Sequence, residues 1–179
     1  MSSCDHVVLM AAYNAAMNGK LYSAAASLPA AELMRDRQAF FGSIFGTLNH
    51  LLAGDIVWLK RFSEHPADFP ALRAMASIAK PANLRDLLRK DLAELLELRL
   101  QLDSIISEWA GQVREPDLAH VLRYQNSQGI QQKRFGPLTA HFFNHQTHHR
   151  GQTTTLLFQA GVDVGSTDLL DHIPNQNAM

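Results

Sequence analysis

One cysteine, Cys4, is all that the 179-residue chain contains. An internal disulfide is thereby excluded, which suits a reducing compartment, and Cys4 reads as a bystander near the terminus. Nowhere do the roughly eighteen consecutive apolar residues of a membrane span occur, so no membrane helix is expected. The opening MSSCDHVVLM lacks the basic stretch and long apolar core of a signal peptide, and the expectation is a cytoplasmic protein. There is also no lysine and arginine block, and the formal net charge is −1. Nucleic-acid binding through wholesale phosphate neutralisation is therefore not expected. Internal repeats are absent. What remains is an ordinary globular composition, nearly half apolar, long enough to bury a core in one domain over residues 1–179.

The apolar positions recur with helical period over four long segments, about 5–28, 36–63, 83–110 and 137–160. PAAE after the first marks a stop and a possible restart, and His65-Pro66 closes the second. Three prolines within 66–82 predict an irregular connection, and Asn83 with Asp86 predicts the start of the third helix. On that helix Arg89, Lys90, Asp91 and Glu94 read as solvated surface and i, i+4 pairs. HVLRY and IQQKRF flank QNSQG, which predicts a β-hairpin over about 119–135. Pro137 suits a first helical turn and Gly161 a helix end, and the tail 161–179 reads as extended. The expected fold is all-α: a four-helix bundle with a short β-hairpin between the third and fourth helices.

Four of the nine histidines fall within HFFNHQTHHRGQ, residues 141–152. Helix positions three and four apart share a face. One stripe is Leu138, Phe142, His145, His149, Gln152 and Leu156, apolar at both ends and therefore facing the core. The other, Pro137, His141, Asn144, His148, Gly151 and Thr155, is polar or small and reads as an exposed flank. The i, i+4 pair His145 and His149 can offer two imidazoles to one metal, the geometry of HExxH helices. Gln146 stands where that motif has its glutamate, so no protease base is built in. A third ligand must come from another helix, and His50 is the best candidate. Its stripe, Ser43, Thr47, Gly54 and Val57, is mostly small and leaves space around the ring. Spacing alone leaves other readings open: buried histidines as polar packing, or a pH-responsive contact.

FFGSIFGTLNHLLAGDIVWLKRF together with HFFNHQTHHRGQ resembles the DinB/YfiT-like family of metal-binding four-helix bundles, which is unrelated to the translesion DNA polymerase of similar name. AAYNAAMNGKLY extends the resemblance over nearly the whole chain. The resemblance implies one divalent metal, zinc or nickel, on His50, His145 and His149, with open positions left on the ion. Arg150, Gly151 and Gln152 match the rest of the signature. Gly151 would allow close helix approach and Gln152 would orient a ligand. It also implies a homodimer, and thiol-S-transferase or isomerase chemistry with a low-molecular-weight thiol.

Three neutral imidazoles leave an ion's charge uncompensated, so bound water is acidified and a thiolate is favoured over a thiol. A small-molecule transferase or hydrolase is the leading expectation, with Asp55 and Gln152 as candidate catalytic groups. Asp55 lies on the apolar face of its helix and should have a partner such as Arg61, Arg150 or Asn14. Tyr13, Trp58 and Tyr124 line either a pocket or plain core. A non-catalytic metal-binding or stress-response module, and a dimeric structural protein with packed histidines, are the rival classes.

Overall fold

The computed structural model describes residues 2–175. Helix α1 (Ser3–Ala26) begins at a capping box, in which Ser2 and Asp5 each bond the other's backbone N–H. The restart after the proline is a single turn and a half, α2 (Ala30–Met34). Helix α3 spans Ile44–Phe62 and is capped by the Ser43 hydroxyl, which accepts from the Gly46 N–H. It therefore starts well after the expected residue 36. Residues 39–42 instead make a tight turn with Gly42 at φ +76°, a conformation that favours glycine.

Helix α4 (Leu92–Gln112) also starts later than expected. Asp91 is on the surface as expected, but as the cap of the helix, accepting from the Glu94 N–H, and not as a residue within it. Asn83 and Asp86 bond one another in a turn of the preceding loop. That pattern serves a turn as well as a helix start, and Leu84 and Leu87 after it are exposed. The proline-rich connection holds a 3₁₀ segment, Pro70–Ser77, whose Leu72 and Met75 are buried. Of the expected surface pairs, Lys90 and Glu94 form one at 2.8 Å. A short helix α5 (Glu115–Ala119), unforeseen, precedes the hairpin of β1 (Val121–Asn126) and β2 (Gly129–Arg134). Helix α6 (Phe135–Gln159) ends one residue before Ala160, whose N–H closes on the last carbonyls, with Gly161 at φ +85° following. The tail contains a 3₁₀ turn, Leu169–His172, and is tied to α1 by the Tyr13 hydroxyl donating to the Thr167 carbonyl (2.6 Å). Residues 176–179 of the expected extended tail lie outside the described residues.

The chain is thus mostly helical with one two-stranded antiparallel hairpin. Helices α1 and α3 each pack against both α4 and α6. An aromatic cluster of Phe62, Trp109, Phe135 and Phe142 fills one end of the core, with the Phe62 and Trp109 rings stacked at 5.2 Å. Further along, the core is polar. Arg99, wholly buried on α4, donates to Asp55 (2.6 Å) and pairs with Asp103 (2.9 Å). Asn18 also donates to Asp103, Gln146 donates to Asp55, and Arg150 donates to Asn14. Buried ions and amides need such partners, because each unpaired one costs kilocalories of desolvation. Among the described residues, no helix is long and apolar enough to cross a membrane.

Candidate metal centre

The split along α6 follows the helical period. His141, Asn144, His148, Gly151 and Thr155 are exposed, while Leu138, Phe142, His149 and Leu156 are buried and His145 and Gln152 lie at the boundary. His50 is buried on the facing side of α3. The three rings converge. His50 Nε2 lies 3.2 Å from His145 Nε2 and 3.1 Å from His149 Nε2.

The outer ring nitrogens decide what these inner ones can do. His50 Nδ1 is 3.0 Å from the Leu84 carbonyl oxygen, which can only accept, so the proton of His50 sits on Nδ1. His149 Nδ1 is 2.8 Å from Gln152 Oε1, and the Gln152 amide nitrogen in turn donates to exposed His148 (3.2 Å). His149 therefore also carries its proton on the outside. Two bare Nε2 lone pairs, 3.1 Å apart, cannot bond each other. His145 could supply one proton at most to the three nitrogens.

Protonating the rings is also disfavoured. Burial pushes His50 down to about 4 against the opposing Leu84 hydrogen bond, and pushes His145 down to about 3, with His149 and His50 adding repulsion. His149 is lowered chiefly by burial too. Three neutral imidazoles with their free lone pairs aimed at one point are a donor set that can hold a divalent ion, and all three ligand atoms lie within 4.8 Å of one another.

The surroundings hold the rings in place. Phe41, in the turn before α3, stacks on His50 with centroids 3.7 Å apart and meets His149 edge-on at 5.5 Å. Arg85 lies over Phe40 and Phe41. Gly54, one turn past His50, leaves room for the His145 ring. On the open side, a cleft of about 610 Å³ reaches His145 between α3, the 80–84 segment, the hairpin turn and His141.

Residues 1–178 match the DinB family. The chain belongs to the DinB family. It is 29% identical over 161 residues, 87% of each chain, to a relative named Protein DinB from Bacillus subtilis (strain 168). No solved structure matches it.

In this DinB-family chain, several expectations about the neighbours of the triad change. Asp55 does not reach the imidazoles. Its oxygens are taken by Arg99 and Gln146, and Arg99 replaces the expected Arg61, Arg150 or Asn14 as its partner. Burial pushes Asp55 up to about 6, while Arg99 draws it down. Burial opposes the Arg99 charge, but Asp103 and Asp55 outweigh it and hold that charge firmly, so the pair is ionic at neutral pH. Gly151 is exposed, and among the described residues nothing lies within 4 Å of where its Cβ would stand, so it makes no close helix contact within the chain. Tyr13 and Tyr124 are core, and Trp58 alone of the three aromatics lines the cleft. Phe41 and the Leu84 carbonyl were not foreseen; the first was signalled only by the FF pair before a helix-capping serine. The burial of Arg99, though not its partner, had a signal in the sequence, since it shares the helical period of Leu95, Leu102 and Ile106.

Proposed function

We propose that this protein is a metal-dependent enzyme acting on a small-molecule thiol, in the manner of a thiol-S-transferase, with His50, His145 and His149 as ligands of one divalent ion, zinc or nickel. The observation that carries this reading is the convergence of three Nε2 atoms, two of them with their protons fixed on the far side of the ring. An ion bound by neutral imidazoles keeps its positive charge and would favour the thiolate of a bound thiol. The chain's own residues supply the rest. Leu84 and Gln152 fix two rings, Phe41 shields one side from water, and the cleft beside His145 admits a ligand. Thiol transfer is favoured over hydrolysis because, among the described residues, no carboxylate lines the cleft and Asp55 is committed to Arg99.

The same reading takes α1, α3, α4 and α6 as a four-helix bundle in a single domain over 1–179. It takes the protein as a cytoplasmic homodimer whose partners are small molecules and neither nucleic acid nor membrane. The test is elemental analysis of the purified protein beside His50→Ala and His149→Ala. One zinc or nickel per chain, lost in both variants, is the expected result. A wild type that retains neither metal after incubation and buffer exchange overturns the reading.

A further inference from the structure

The cleft beside His145 carries two basic side chains, Arg61 and Lys80. One face of α3, Gly54, Val57, Trp58 and Arg61, forms its floor at the i, i+3, i+4, i+7 spacing of a helix face. At one end Gly54 touches the His145 ring and at the other stands Arg61, while Lys80 lines the wall formed by the 80–84 segment. No aspartate or glutamate among the described residues lines the cleft. Among the described residues, neither Arg61 nor Lys80 has a carboxylate within 4.0 Å, although Arg35, Arg37, Arg73 and Lys90 each form such a pair.

Arg61 is also held in an unusual way. Its guanidinium lies over both Trp58 and Tyr124, 4.6 Å from each ring centroid, and its one hydrogen bond goes to the Gln125 carbonyl at 3.3 Å. Two aromatic faces fix the plane of the fork without using its remaining N–H groups, which stay available for a planar, two-oxygen acceptor. Lys80 is exposed and adds a second positive charge to the lining of the same cleft. A role for Arg61 in merely pinning the hairpin to α3 would account for the stacking, but not for Lys80 or for the absence of acids along the walls.

From these observations we infer that the cleft takes an elongated organic anion, with a terminal carboxylate on Arg61 and Lys80 and the reacting group at the histidine end. Seven residues of helix separate Gly54 from Arg61, which sets the distance between the two ends at about 10 Å. The cleft volume of about 610 Å³ is that of a small-molecule site. The position of the reacting group rests on the metal-site reading above; the carboxylate subsite does not.

The test compares mercaptooctanoate with mercaptooctanol, thiols of equal length that differ in the end group. Each is titrated into protein incubated with cobalt, for the wild type, Arg61→Gln and Lys80→Gln. Binding is read from the fluorescence of Trp58, against the constant background of fully buried Trp109, whether or not cobalt is taken up. Visible absorption reports separately on sulfur reaching the ion. The carboxylate is expected to bind about tenfold to a hundredfold more tightly in the wild type. In each variant that preference should largely vanish while the alcohol binds as before. Lys80→Gln changes an exposed side chain, so a loss of preference there does not arise from misfolding. Equal affinity of the two thiols in the wild type, or a preference that survives both substitutions, overturns the subsite. A preserved preference without a sulfur–cobalt band overturns the metal reading and leaves the subsite standing.

Discussion

Gly54 on α3 and His145 on α6 are packed so closely that a Cβ on the glycine would stand 2.7 Å from His145 Cε1. The contact lies at the far end of a side chain, so an alanine here would turn the imidazole aside and leave the helices where they are. Gly54→Ala should therefore have opposite effects on fold and site. Helix propensity favours alanine over an interior glycine by up to about 1 kcal/mol, so urea stability should hold or rise. Metal affinity, measured by competition with a chromophoric chelator, should fall about tenfold or more as one of the three proposed ligands is displaced. Unchanged affinity would show that His145 is not a ligand.

Gln152 offers a second handle, because it touches His149 only through the nitrogen that faces away from the other rings. Gln152→Leu removes the acceptor and frees the His149 ring to take either tautomer. Metal affinity should drop about 10- to 100-fold, while Gln152→Glu, which keeps an acceptor, should retain most of it. If both variants weaken binding equally, the amide acts through packing and not through the His149 proton.

Much of this site was legible because its determinants are periodic. His145, His149 and the exposed flank of His141 and His148 follow from helix geometry alone, and His50 stood out by its small neighbours. The hairpin was legible from its turn, where Gly129 takes φ +106° beside Asn126. What did not show was whatever depends on chain reversal between elements. Asn83 and Asp86 carry the same local signal for a turn as for a helix cap, and only packing chose the turn. That choice brings the Leu84 carbonyl to His50. The partner of Asp55 was misread for a related reason. Arg99 sits on another helix, and the facing of α3 against α4 cannot be read from either pattern alone.

Arg99 stands between two buried carboxylates, and its loss leaves both without their cation. Removing one side of a buried ion pair costs about 3–5 kcal/mol, because the charge left behind has no water to return to. Arg99→Leu should lower the urea midpoint accordingly. Arg99→Leu combined with Asp55→Asn and Asp103→Asn should recover a large part of the loss, since amides need no counter-charge. A single variant as stable as the wild type would mean that water already reaches this layer.

The metal-free protein should lose stability as the pH falls below about 6.5, the ordinary histidine value. In the folded chain burial depresses five histidines, with His50 at about 4, His145 at about 3, and His65, His141 and His149 lowered as well. Below pH 6.5 the unfolded chain takes up protons that these folded rings refuse, so the unfolded state binds more protons and stability drops with pH. Asp55 acts in the other direction. Raised to about 6 by burial, it is protonated in the folded chain before it is in the unfolded one, which shallows the fall between pH 6 and its unfolded value near 3.8. Five groups against one leave the histidines in control. Urea midpoints of the metal-free protein between pH 7.5 and 4.5 should therefore decline steadily, and more gently in His145→Gln, which removes the most depressed ring. A midpoint that stays level across this range would mean that the three rings take up protons when folded, and the set of free lone pairs on which the metal centre depends would not exist.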